Sequence, residues 1–277
     1  MKRNRPHDAR LMLQEESTRQ RARRMRMISI LSIIGILLLW FVVTMEWQGA
    51  DPIVRSLKLP SPARVLETLI QVRETILRQA LVTLYRVSLS FLAGSALGVL
   101  VGLVMSRFRI VFAFLVPHIE ALRPVPPVAL IPFFILWFGI SLFGQVLLAG
   151  LGCFMVMVVC TIEAVRNVPR IYIQAARSLG AEQDYIYRTV ILPAIVPELI
   201  AGWRVALALA FGLMAAAEMM GAQEGIGFMI MVARRSLNTP TIMLGIIIIG
   251  IEAALADRVL YYFTRRLTRW TERDVER

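Results

Sequence analysis

ALVTLYRVSLSFLAGSALGVLVGLVM, residues Ala80 to Met105, holds a single ionisable side chain, Arg86. About 20 such residues, wound as a helix rising ~1.5 Å each, cross the ~30 Å hydrocarbon core of a bilayer. Working outward, five further apolar runs of spanning length stand at Met27 to Met45, Ile110 to Phe138, Phe143 to Glu163, Val190 to Met219 and Thr241 to Phe263. The run from Ile110 is long and broken by prolines. Because lipid offers backbone groups no partner, each run is read as a helix. The fold class is therefore all-α, a polytopic membrane protein of about six transmembrane helices.

Composition agrees. Of 277 residues, 57% are hydrophobic and 18% charged, an apolar excess that must face lipid. The net charge of +12 does not indicate nucleic acid, because the basic residues lie between and beyond the apolar runs. Nine Lys/Arg precede Met27, and no small-residue cleavage site follows, so the first run reads as a retained anchor. Six spans put the N-terminal arm, Arg107 and Arg109, residues 166–188 and the tail on one side, which the positive-inside rule makes cytoplasmic. The expected organisation is an arm at 1–27, an anchor and outer segment at 28–79, a membrane core of five helices at 80–264 and a tail at 265–277. Leu59 to Ile76 reads as a proline-started helix. Val65, Leu66, Leu69, Ile70 and Ile76 can share a face on the outer membrane surface, or the stretch is the solvated start of the second span.

Catalytic chemistry has little to stand on. Cys153 and Cys160 lie two helical turns apart, roughly 10 Å, too far for a disulfide. His7 and His118 have no ligand-like spacing, and no metal is assigned. The chain contains no G-x-x-x-x-G-K-[ST] phosphate loop, so energy must come from elsewhere.

Ionisable groups expected inside spans are Arg86, Glu120, Arg123, Glu198, Arg204, Glu218, Glu252 and Asp257, which should face the bundle interior or reach an interface. Arg86, Arg123 and Arg204 can offer positive potential to an anion, unless Glu120, Glu198 or Glu252 neutralises them. Pro124, Pro126, Pro127 and Pro132 remove backbone donors at membrane depth, which is tolerated only inside protein or beside a watery cavity. Arg123 to Pro132 is thus a pathway-lining segment or a kink satisfied by neighbouring helices. Glu218 joins the pathway set. Gly221, Gly225 and Gly227 permit a short re-entrant excursion on the outer side.

The segment RNVPRIYIQAARSLGAEQDYIYRTVILP, Arg166 to Pro193, is the longest polar stretch on the expected cytoplasmic side. Pro169 can open a short helix and Gly180 can end it in a left-handed cap; Ala181 to Arg188 can form a second helix at an angle. The small Gln174-Ala175-Ala176 face suits insertion into a groove on another protein.

Here the sequence resembles a known family. Gln174, Ala175, Ala176, Gly180, Val190, Leu192 and Pro193 match the cytoplasmic "EAA" motif of permeases in binding-protein-dependent ATP-driven (ABC) importers, with Gln174 in place of glutamate and Val190 in place of isoleucine. LRPVPPVALIPFFILWFGI (Leu122 to Ile140), AAEMMGAQEGIGFMI (Ala216 to Ile230) and the tail RRLTRW look like the nitrate, sulfonate and taurine branch. The resemblance implies a homodimer in the bacterial inner membrane, a separate ABC ATP-binding subunit docked on the motif and carrying ATP and Mg, and an external substrate-binding protein. This chain would hold no cofactor. Closure of the ATPase would rotate the spans through the coupling segment. Nitrate, taurine, an aliphatic sulfonate or a heterocyclic vitamin precursor fit this branch. An ion-coupled secondary carrier is the alternative outside it, but no inverted repeat is visible.

Overall fold

The structure, a computed structural model, describes residues 24–25, 27–29, 31–44 and 59–265. Most of the basic arm, residues 45–58 and the tail beyond Arg265 lie outside the described residues. No strand occurs among the described residues. The chain divides into two compact units, Met1–Glu67 and Thr68–Arg277.

In the first unit, α1 (Met27–Thr44) is apolar and exposed along almost its whole length, as a lipid-facing helix must be. Its polar groups are satisfied locally. The Thr44 hydroxyl donates to the Trp40 carbonyl at 2.8 Å, and the Trp40 indole N–H donates to the Pro60 carbonyl at 3.0 Å. Helix α2 (Pro62–Gln71) starts on its proline and bridges the two units. Val65 is buried, whereas Leu66 and Ile70 are exposed. A stripe read at i and i+4 from Val65 leaves its neighbours 100° round the helix outside.

The second unit runs α3 (Arg73–Arg107), α4 (Arg109–Leu122), a 3₁₀ turn (Pro127–Leu130), α5 (Ile131–Phe138), α6 (Leu142–Asn167), α7 (Arg170–Ser178) and α8 (Gln183–Ile186). A π-helical turn (Tyr187–Ile191), α9 (Leu192–Gly221), α10 (Ile226–Arg235) and α11 (Thr239–Arg265) complete it. Its core gathers Val87 from α3, Ala149, Cys153 and Met157 from α6, and Ala206, Ala210 and Met214 from α9. Cys153 is thus a packing residue, its thiol directed at the Ala206 carbonyl 3.5 Å away.

Helices α3 and α6 make the most extensive contact in the molecule, and glycines set it. Gly94, Gly98 and Gly102 form a double small-xxx-small stripe, the pattern that lets helix backbones approach in a membrane. A Cβ at Gly94 would fall on the Gly150 carbonyl; one at Gly98 would meet Phe154 and Met157, and one at Gly102 would meet Val158 and Thr161. Partner numbers rise together, so α3 and α6 run parallel. By the same test α6 and α9 are antiparallel, since Gly152 faces Leu213 while Gly202 faces Cys160.

That register decides the topology of the proline-broken run. Five helices are long and apolar enough to span a membrane, and α4 with α5 forms a pair bent by 84° that counts as a broken span or as a re-entrant loop. Two consecutive parallel helices must be joined by a return across the bilayer. With Gly94 level with Gly150, the start of α6 lies level with Arg86 in the fourth turn of α3, about 35 Å from the start of α4. The bent pair therefore acts as one crossing, and the spans number six. The prolines share out the break. Pro124 and Pro126 occupy the bend, Pro127 opens the 3₁₀ turn, and Pro132 sits in the first turn of α5, where a missing N–H costs nothing.

Candidate functional site

At one end of the bundle lies the coupling segment. Pro169 flanks the start of α7, which ends in a Schellman motif: Ala181 N–H donates to the Ala176 carbonyl at 3.1 Å and Gly180 N–H to Arg177 at 2.9 Å. Gly180 has φ +81°, a left-handed conformation that glycine adopts without steric cost. Gln174 and Ala175 are exposed and Ala176 is half-buried, while Ile171, Tyr172 and Leu179 hold large apolar surface open to solvent. Leu179 is 88% exposed, far more than a soluble surface needs to spend on a leucine.

The second half of the segment differs from expectation. In place of a separate helix over Ala181 to Arg188, α8 continues through the π-helical turn into α9, giving one helix from Gln183 to Gly221. Pro193 cannot donate to the carbonyl of Thr189, and the chain widens by one residue just before it. Leu192 and Pro193 thus form the first turn of α9 proper. Two contacts strap this region to α3: Arg107 pairs with Asp184 at 2.5 Å, and the Tyr187 hydroxyl donates to the Leu103 carbonyl at 3.0 Å. Neither strap was visible in the sequence, because Arg107 and Asp184 stand 77 positions apart with nothing local to link them.

The opposite end is a closed polar knot. The Glu218 carboxylate, on the last turn of α9, has no exposed side-chain surface. It accepts from the Thr83 hydroxyl at 2.9 and 3.0 Å, from the Gly227 N–H at 2.9 Å and from the Arg86 guanidinium at 3.2 Å. Arg86 also donates to the Glu224 carbonyl at 2.7 Å, Thr83 accepts from Ile226 N–H at 2.8 Å, and Gln79 takes the Gly225 N–H. A Cβ at Gly225 or Gly227 would strike the Glu218 side chain. These glycines therefore serve close approach as well as the turn into α10. Glu218 and Arg86, expected on the pathway, are enclosed and mutually neutralised here. The partner of Arg86 is Glu218, not one of the three glutamates the sequence offered. Thr83, one helical turn before Arg86, carried no sequence signal.

Arg204 is likewise paired. It reaches Asp257 of α11 in a bidentate fork at 2.7 and 2.8 Å. Arg123 is the exception: it stands exposed at the 84° bend, with no ion pair or hydrogen bond to its side chain among the described residues. It lines a cleft of about 360 Å³ walled by α4 and α6, with Leu209 of α9 at its deep end. Pro124 and Pro127 leave the carbonyls of Glu120 and Arg123 without their helical donors, so the bend adds bare acceptors to the same region. Pro126 shares the bend. Along α6 the cleft extends from Gly152, midway along the helix, to Glu163 near its last turn.

Helices of spanning length, a polar bend beside a cleft and a short helix with exposed apolar side chains fit a membrane transport permease. The comparisons make the class specific. The chain belongs to the family of binding-protein-dependent transport system inner membrane components, whose model matches residues 94–272. The taurine transport system permease protein TauC of Escherichia coli (strain K12) is 34% identical over 238 residues, 83% of this chain and 84% of that protein. SsuC of Bacillus subtilis (strain 168), named for aliphatic sulfonates transport, is 34% identical over 84% of this chain and 86% of its own length. Among solved structures, a chain of the MetNI methionine ABC transporter in an inward-facing conformation aligns with TM-score 0.54, covering 72% of this chain and 99% of that one at 21% identity, which establishes the shared fold. The protein is an inner-membrane permease of an ABC importer, a system that works with an ATP-binding subunit and a substrate-binding protein. The secondary-carrier alternative is not favoured.

Proposed function

We propose that this permease carries an organic sulfonate, taurine or an aliphatic sulfonate, into the cell. The observation that carries this reading is the unpaired Arg123 at the proline bend, lining a cleft in a chain akin to TauC and SsuC. A guanidinium presents a planar fork of donors suited to the oxygens of a strong-acid anion.

Two copies of the chain form the membrane unit, with both termini in the cytoplasm. A separate ATPase subunit holds ATP and Mg and seats Gln174, Ala175, Ala176 and Gly180 in a groove, contacting the exposed Ile171, Tyr172 and Leu179; Leu192 and Pro193 relay its movement into α9. The straps from Arg107 to Asp184 and from Tyr187 to Leu103 make α3 follow α9 when the ATPase closes. The external binding protein delivers substrate at the Glu218 end. The bilayer covers the remaining apolar faces, and nucleic acid has no role.

The test is mass spectrometry of what co-purifies with the tagged chain from its own host in mild detergent, followed by uptake of labelled sulfonates. An ATP-binding subunit in equal amount, with sulfonate uptake lost on deletion, is the expected result. A stable complex without an ATPase would remove the coupling assignment; intact uptake after deletion would remove the substrate.

A further inference from the structure

We propose that the cleft between α4 and α6 is built for a dipolar substrate, an amino-sulfonate, with Arg123 taking the sulfonate and Glu163 the ammonium group. This rests on the sulfonate reading and narrows it.

Two adjoining cavities, of about 360 and 90 Å³, share one wall. Arg123 and Glu163 both line each of them. The two opposite charges share this wall without forming an ion pair with each other. Neither side chain has another hydrogen-bond or ion-pair partner among the described residues. Of the three arginines expected inside the spans, the other two are neutralised: Arg86 by Glu218 and Arg204 by Asp257. Unpaired charge at membrane depth is costly, and where it persists it marks a place that something else occupies.

The remaining ionisable groups on this wall preserve the balance. The smaller cavity adds Glu120 and Arg166 at the mouth, and the Arg166 guanidinium is already engaged with the Phe112 ring 5.0 Å away. The larger cleft thus presents one basic and one acidic side chain, and the smaller cavity two of each, so neither has net charge to attract a simple anion. A simple anion bound at Arg123 would be repelled by Glu163. A solute bearing both groups satisfies both side chains at once, so the site discriminates by a repulsive element as well as an attractive one. Glu120 is the weaker choice for the ammonium end, because it lines only the smaller cavity.

The experiment is ATP-driven uptake into proteoliposomes holding the complete importer, normalised to assembled ATPase, with labelled taurine and with ethanesulfonate, which lacks only the amino group. One binding protein serves every permease variant, so its own preference cancels from each variant-to-wild-type ratio. E163Q should slow taurine about tenfold or more and leave ethanesulfonate at or above the wild-type rate, E163D should restore taurine, and R123Q should slow both. If ethanesulfonate does not enter the wild type, the loss of taurine uptake in E163Q and its recovery in E163D decide alone. Equal slowing of both solutes by E163Q, unchanged taurine uptake, failure of E163D to restore it, or a wild type that carries ethanesulfonate and not taurine overturns the inference and leaves the sulfonate reading standing. A wild type that carries neither solute removes the sulfonate reading itself.

Discussion

The two ends of the bundle handle polar groups in opposite ways. At the Glu218 end the central charge is enclosed: one carboxylate collects a hydroxyl, a backbone N–H and a guanidinium, and two glycines let the α9–α10 turn press against it. At the coupling end the side chains are open, the straps are few, and apolar surface is left uncovered. The first end holds three helices and a turn in one arrangement. The second leaves its binding energy unspent until a partner arrives. Stability and function are therefore separable along the membrane normal, and substitutions can test that separation.

The largest effect should follow from Glu218→Ala. Removing one member of a buried pair strands the other, a loss of about 3–5 kcal/mol. Unfolding in detergent, followed by tryptophan fluorescence, should show it as a pronounced fall in midpoint, with yield falling too. Next in size, Gly98→Val forces a Cβ and two methyls into Phe154 and Met157, with an expected cost of about 1–3 kcal/mol or more by the same assay.

The coupling end should respond in the reverse sense. Gly180→Asp meets open space, so its stability cost is confined to the left-handed backbone, about 1–2 kcal/mol at most, while ATPase recovery and uptake are lost. A melting loss equal to that of Glu218→Ala, or uptake left intact, would break the comparison. The smallest stability effect is expected for Arg107→Ala, since Asp184, its partner, is solvent-exposed and the pair is screened. Its signature is a drop in solute moved per ATP hydrolysed, measured in proteoliposomes.

Much of this division was legible beforehand. Apolar runs placed all six spans, because the need to bury backbone polar groups in lipid acts on local sequence. The short helix and its left-handed stop were equally legible, since Pro169 and Gly180 dictate local dihedrals. The second coupling helix was misread. Punctuation at Gly180 and Pro193 suggested an independent element, whereas the chain absorbed Pro193 in a widened turn and carried on as α9.

The pairing of charges was beyond the sequence. It identified Arg86, Arg123, Arg204 and Glu218 as exceptional because ionisable groups are rare at such depth. It could not say that Arg86 meets Glu218, that Arg204 meets Asp257, or that Arg123 meets nothing. Those outcomes depend on which helices run parallel and at what separation, set by Gly94, Gly98 and Gly102 against α6. Sequence by itself determined the apolar runs, the helical class and the polar segment between them, all consequences of local hydropathy and backbone geometry; whether the proline-broken run crosses was settled by the α3–α6 register. Only the tertiary structure decided which charges are silenced and which one faces a cleft, because electrostatic partnership is a matter of a few ångströms between helices far apart in the chain.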